Sequence, residues 1–253
     1  SVSPGIATPF TAWPLGYDFL SGGKNHSEVD RKAAAHALRI TPDGPAARQA
    51  NRAFLRRVIR FLVSEAGIDQ FLDLGSRLPT QGNVHEVATD ATVLYTDVDP
   101  VTIRLGQSIL AGSDRAGYGF GDATDIGTID PAQLHRFVPG WGRRPVGVVF
   151  LGLAAFLDDA TLTHTLDELY AAAAPGSLLA VDFDTEELAG HPQALAMMGP
   201  QFRMRPPAAF APLLGRWAPT ADGIVPVAEW RPEGPPERVP DAFHGVLATR
   251  PAD

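Results

Sequence analysis

Between residues 70 and 183, short apolar runs alternate with segments whose apolar side chains recur every three or four positions. This alternation constrains the fold of the chain more than any other feature. The runs at 70–74, 92–96, 118–120, 146–151 and 177–183 read as strands, and the segments at 83–88, 100–110 and 162–173 read as helices. Strands joined through helices pair in parallel, so the expected class is α/β, with a mostly parallel sheet and helices on both faces. A helix at 47–65, stopped by Gly67, precedes the first strand. Beyond Gly190 the pattern loosens: a helix at 206–214, a short strand within 223–230, and a last strand at 243–249 after a proline-rich loop at 232–240. Residues 1–45 are rich in glycine, proline and aromatics, with a helix at 27–38. They read as a cap or lid on a domain formed by residues 46–253.

The charge balance narrows the partners. With 21 basic and 29 acidic residues the net charge is -8, which gives no general attraction to phosphates and argues against nucleic acid. Arg52, Arg56, Arg57 and Arg60 fall at helical spacing and read as a solvated helix face. The absence of cysteine excludes disulfides, thiolate metal sites and a cysteine nucleophile. The histidines are scattered and form no His-x-x-x-His pair, so no metal is expected. No apolar run reaches the roughly 20 residues of a membrane helix, and the first residues lack the basic and apolar regions of a signal peptide. The expectation is a cytoplasmic protein acting on a small molecule, away from membranes; its oligomeric state is not readable.

In an open parallel sheet, ligands bind beyond the carboxyl ends of the strands. The stretch FLDLGSRLPTQG, residues 71–82, crosses that region after the first strand. Gly75 lets the backbone approach a ligand, and the helix that follows offers free N–H groups. A pyrophosphate turn needs more glycines, so the spacing suits a nucleoside. Asp97 ends the next strand, about twenty residues on, where a carboxylate can accept both ribose hydroxyls. Asp99-Pro100 reads instead as a helix N-cap followed by proline at the first helical position. Asp122-Ala123, after the third strand, suits the exocyclic amine of adenine with room for its ring. The segment Leu151–Phe156 would bring backbone and apolar surface to the reactive end of the ligand.

YDFLSGGK at 17–24, Asp30-Arg31, RQANRAFLRR at 48–57, FLDLG at 71–75, LPTQGNVHEVA at 78–88, DVDP at 97–100, APGS at 174–177 and VPVAEWRP at 225–232 span nearly the whole chain. On these segments the sequence resembles the actinobacterial S-adenosylmethionine-dependent methyltransferase family also known as DUF574. The resemblance implies a Rossmann-like class I methyltransferase fold with a seven-stranded sheet and an N-terminal helical lid. It implies S-adenosyl-L-methionine as methyl donor and S-adenosyl-L-homocysteine as product. By position, Asp73, Gly75 and Ser76 would lie along the methionine portion, Asp97 at the ribose, and Asp122 and Ala123 at the adenine, with Val98 also among the cofactor contacts. Leu151 would complete the cofactor contacts, and Tyr17, Gly22, Gly23 and Lys24 would close over them.

The chain departs from that pattern at three places. Arg77 replaces a usual glycine: its side chain can crowd the methionine end, bond the cofactor carboxylate, or point outward. Ala155 stands where the family pattern has histidine, which weakens a simple histidine-base mechanism. Asp182 and Asp184 replace serine or histidine, and only one of the two is expected to face the site. Methyl transfer is a displacement at a sulfonium carbon, so alignment in a dry pocket is the main task. Candidate bases are Asp18, His26, Asp182 and Asp184. His85 reads as structural or cofactor-side, and His36 and His164 as surface or packing residues. Phe10, Trp13, Tyr17, Phe19, Phe156 and Trp217 are candidate aromatic walls for the acceptor. The expected acceptor is a small (hetero)aromatic secondary metabolite. Two other readings are a cofactor-binding regulatory protein without transfer and an NAD-dependent oxidoreductase, although the latter lacks its glycine-rich turn and a Tyr-x-x-x-Lys pair.

Overall fold

The structure, a computed structural model, describes residues 44–79, 82–234 and 241–252. The expected helix at 27–38 and most of the cap at 1–45 lie outside the described residues. The chain then runs α1 (Gly44–Ser64), β1 (Gln70–Leu74), α2 (Val84–Val87), β2 (Thr92–Asp97), α3 (Pro100–Ile109) and β3 (Ala116–Phe120). It continues with α4 (Pro131–Phe137), β4 (Gly147–Phe150), α5 (Asp159–Ala172), β5 (Leu178–Asp184), α6 (Pro192–Met198) and α7 (Pro207–Phe210). Two short edge pieces, β6 (Ala218–Pro219) and β7 (Val225–Pro226), and the seven-residue β8 (Phe243–Thr249) close it.

Strand order is β3-β2-β1-β4-β5-β8-β6, with β7 also on β8. The first five strands pair in parallel, and β8 runs antiparallel to β5. Eight strands are described rather than seven. However, β6 meets Ala248 and Thr249 while β7 meets His244 and Gly245, so both share one edge and the sheet is seven strands wide.

Alternation along each strand divides the core in two. Leu72, Leu74, Leu94, Val148, Phe150, Leu179, Val181 and Phe183 face Leu162, Leu166 and Leu169 of α5. Phe71, Val93, Tyr95, Val149, Leu178 and Ala180 face Phe54, Val58, Ile59 and Leu62 of α1. The α1 residues recur at three and four, which places one apolar stripe on the sheet. The Phe54 ring sits on Gly245, where a Cβ would come within 2.7 Å of it, so only glycine permits this approach. Arg52, Arg56, Arg57 and Arg60 of α1 do not form one solvated face. Arg57 donates to the Trp230 and Val227 carbonyls at 2.7 and 2.5 Å, and Arg52 turns toward Asn83.

The expected helix at 206–214 is an α turn that passes into a 3-10 turn at Ala211–Leu214, because Pro212 has no N–H to donate. The strand within 223–230 shrinks to Val225–Pro226 for the same reason. Trp217, expected as a wall of the acceptor site, is buried in the α5 core. Its indole donates to the Leu166 carbonyl at 2.8 Å, and its ring packs edge-on against Tyr170 at 5.5 Å. That placement satisfies its polar atom and leaves no face for a ligand. Replacing Trp217 with alanine should therefore lower stability by about 3–5 kcal/mol in chemical denaturation; a fall well under 1 kcal/mol would contradict this packing role.

Candidate functional site

The turn after β1 is tied down on three sides. The Ser76 N–H donates to the Thr96 carbonyl at 3.0 Å, and the Arg77 N–H donates to Asp97 Oδ2 at 3.3 Å. The Tyr118 hydroxyl donates to the Arg77 carbonyl at 2.7 Å and lies 3.0 Å from Ser76 Oγ. Gly75 has φ 58°, a left-handed conformation that favours glycine, and a Cβ there would stand 2.6 Å from a Leu153 methyl, which would have to move. Arg77 has φ 57°, a left-handed conformation that a side chain adopts at a cost and that these bonds over-determine.

Two clefts adjoin this turn. One, of about 530 Å³, is lined by Asn51, Arg52, Asp73, Asn83 and Leu151 among others. The second, of about 500 Å³, is lined by Asp97, Val98, Asp122, Ala123, Leu153 and Phe156 among others. Gly75, Arg77 and Gly152 border both, and Ser76 borders the first. Of the expected cofactor residues, Asp73, Gly75, Ser76, Arg77, Asp97, Val98, Asp122, Ala123 and Leu151 thus meet around one region. Tyr17, Gly22, Gly23 and Lys24 lie outside the described residues, as do Phe10, Trp13, Asp18, Phe19 and His26.

The first cleft brings an acidic and a basic side chain together, Asp73 and Arg52. Burial pushes the Asp73 carboxyl up to about 8, opposed by the Arg52 guanidinium and aided by Asp97. Arg52 donates to Asn83 Oδ1 at 3.0 Å. Asn83 is 3% exposed, and among the described residues its Nδ2 has no hydrogen-bond partner. An acid, a guanidinium and a buried amide N–H seeking an acceptor together complement an ammonium and a carboxylate, the two groups of an amino-acid arm. Arg52, Asn51 and Asn83 escaped the sequence reading, which placed Arg52 on a solvated face; the segments at 48–57 and 78–88 held the available signal.

In the second cleft, Asp97 Oδ1 accepts the Asp99 N–H at 2.9 Å, and burial raises its pKa. Asp122 Oδ1 accepts the Thr124 N–H and hydroxyl at 2.9 and 2.7 Å, which fixes its carboxyl plane. Asp99 caps α3 through Val101 and Thr102, as its sequence context predicts. Phe156, expected at the acceptor, lines the Asp97–Asp122 cleft and packs against Phe202 at 5.6 Å. Arg205, also missed, is buried and clamps the loop after β4 through the Ala154 and Leu157 carbonyls and Asp159.

Asp182 and Asp184 share one face of β5, contrary to the expectation that only one would face the site. Residues two apart on a strand point the same way. Asp182 accepts the Asn51 amide at 2.5 Å and the Gly152 N–H at 2.6 Å. Burial lifts it to about 6, against those two bonds. Asp184 is raised further by burial and by Asp182 beside it, against Arg77 and Arg48. Arg77 does not point outward: its Nη2 lies 3.8 Å from the place a Gly152 Cβ would occupy. Ala155 is buried beside Phe156. His85 is structural, with its N–H and Nδ1 at 3.0 and 2.8 Å from the Tyr95 hydroxyl. His164 is exposed beside Glu168. Among the described residues, no cluster of three or more His, Asp or Glu could hold a metal ion, and no helix is long and apolar enough to cross a membrane.

Because the Asp73 pKa is raised on folding, the folded state holds that proton more tightly than the unfolded chain. Stability from this group is complete below pH 3.8 and is lost as pH rises through about 8. Asp73→Asn should raise the unfolding midpoint of the ligand-free protein at pH 8, by the equivalent of a few kcal/mol on the order-of-magnitude scale of such shifts. An unchanged midpoint would show Asp73 to be stably ionised.

Comparison with known proteins agrees with this geometry. A family model described as S-adenosyl methyltransferase matches residues 9–250. A DUF574 family protein from Streptomyces avermitilis superposes with a TM-score of 0.82 at 27% identity, covering 94% of this chain and 97% of that one. A putative methyltransferase from Thermobifida fusca gives 0.83 at 29% identity, covering 94% of each. Magnesium protoporphyrin IX methyltransferase from Synechocystis with bound S-adenosylhomocysteine shares the fold, at 0.59 and 13% identity over 93% of each chain. No curated protein matches the chain. The oxidoreductase and non-enzymatic readings give way, and the chain belongs to the S-adenosyl methyltransferase family, as an S-adenosylmethionine-dependent enzyme.

Proposed function

We propose that this methyltransferase acts on a small (hetero)aromatic acceptor of secondary metabolism, in the cytoplasm, by direct displacement. The observation that carries the cofactor placement is the pair of adjoining clefts, one with zwitterion-complementary groups and one with Asp97. In this reading Asp73 takes the ammonium of the methionine arm, Arg52 and Asn83 its carboxylate, Asp97 the ribose, and Asp122 with Ala123 the adenine. S-adenosylmethionine supplies an electrophilic methyl when bound. The protein's own contribution is to orient, to exclude water and to manage one proton.

The acceptor reading is supported by an apolar cluster beside the second cleft. Ala155, Phe156 and Phe202 pack there with Leu188, Leu195, Met198 and Met204. Aromatic and methionine side chains suit a flat apolar molecule and adapt to its outline. Asp182 spends both carboxylate oxygens on Asn51 and Gly152, so it positions the loop after β4 rather than taking protons. Asp184, on the same face of β5 and with a pKa raised by burial and by Asp182, is the better candidate to take a proton from an acceptor hydroxyl or amine.

Asp97→Ala should weaken S-adenosylhomocysteine binding by about 5- to 150-fold in calorimetric titration, the loss of roughly 1–3 kcal/mol of charged hydrogen bonding. Unchanged affinity would remove Asp97 from the ribose role. A panel of hydroxylated and aminated heteroaromatics, assayed by release of S-adenosylhomocysteine, tests the acceptor; turnover confined to protein or nucleic acid would sink that part.

A further inference from the structure

Gly75, Arg77 and Gly152 line both clefts, so a ligand that uses both must pass them, and Arg77 is the charged member. Its guanidinium lies at Gly152, whose N–H holds Asp182. Asp184 follows on the same face of β5, and the Arg77 charge is felt by Asp97, Asp182 and Asp184 alike. The junction thus sets a fixed cation against carboxyl groups in a partly buried crevice, where charges interact more strongly than in water.

Substrate and product forms of the cofactor differ at one atom. S-adenosylmethionine carries a methylated, positive sulfonium, and S-adenosylhomocysteine a neutral thioether. If the two ends lie in the two clefts, as proposed above, the sulfur falls beside Arg77. We infer that Arg77 determines the relative affinity for the two forms: its charge weakens the hold on the sulfonium, Asp182 and Asp184 offset part of that effect, and the thioether product is retained. This is a discrimination by charge at sulfur, separate from recognition of the nucleoside. A carboxylate-binding role for Arg77 would instead affect both forms equally, and Arg52 with Asn83 already serves that end of the first cleft.

The test is calorimetric titration of the wild type, Arg77→Gly and Arg77→Met with each form. Taking the ratio of the two affinities within one variant cancels any change in turn strain or fold. Both substitutions should raise the ratio of S-adenosylmethionine to S-adenosylhomocysteine affinity by about fivefold or more, since both remove the charge. Equal changes for the two ligands would overturn the inference. A shift with glycine alone would also overturn it, by showing that side-chain bulk against the methyl group is responsible. Failure of the wild type to bind either form would overturn the cofactor placement itself, and this inference with it.

Discussion

The Asp97 carboxylate accepts the backbone N–H groups of Arg77 and Asp99, and so couples the turn after β1 to the loop after β2. The turn borders both clefts, and the loop after β2 borders the second. Tyr118 adds a second tie from β3, through the Arg77 carbonyl, and stacks on Tyr95, which His85 holds in turn. A buried charge is costly without such partners, and the Asp97 pKa is raised by burial despite them. The carboxylate therefore serves as a structural tie and, in the proposed function, as a ligand group facing the second cleft.

The same economy governs the acids elsewhere. Asp73, Asp97, Asp182 and Asp184 all fall on strand positions that face α1, in step with Phe71, Tyr95 and Ala180 on that side of the core. The polar residues Asn51 and Arg52, near the start of α1, meet these acids, while Phe54 and Val58 continue the apolar stripe. The sheet thus turns from apolar core to charged cleft within a single strand residue. Much of the cost of burying these groups is recoverable only with a ligand of opposite charge, which makes the ligand-free site less stable as pH rises.

The parallel core was legible because its strands are nearly continuous apolar runs buried on both faces, and its helices carry clean periodicity. The carboxyl-end rule then located Gly75, Asp97 and Asp122 without any contact information. Arg52 was misread because helical spacing shows which residues share a face but not what covers that face; α2 brings Asn83 across it. Trp217 was misread because an aromatic near the end of the chain carries no sign of which helix it packs on. Asp182 and Asp184 were separated by a mistaken use of strand alternation, which in fact puts them together. Arg77 stood out as a departure from a glycine pattern, yet its direction depends on long-range ties from Asp97 and Tyr118 that no local motif encodes.

The most direct measurement is a crystal structure of the protein with S-adenosylhomocysteine. The account predicts the ribose hydroxyls on Asp97, and the amino and carboxylate groups of the homocysteine arm between Asp73 and the Arg52–Asn83 pair. A nucleoside seated away from Asp97, or an arm leaving the first cleft empty, would contradict it.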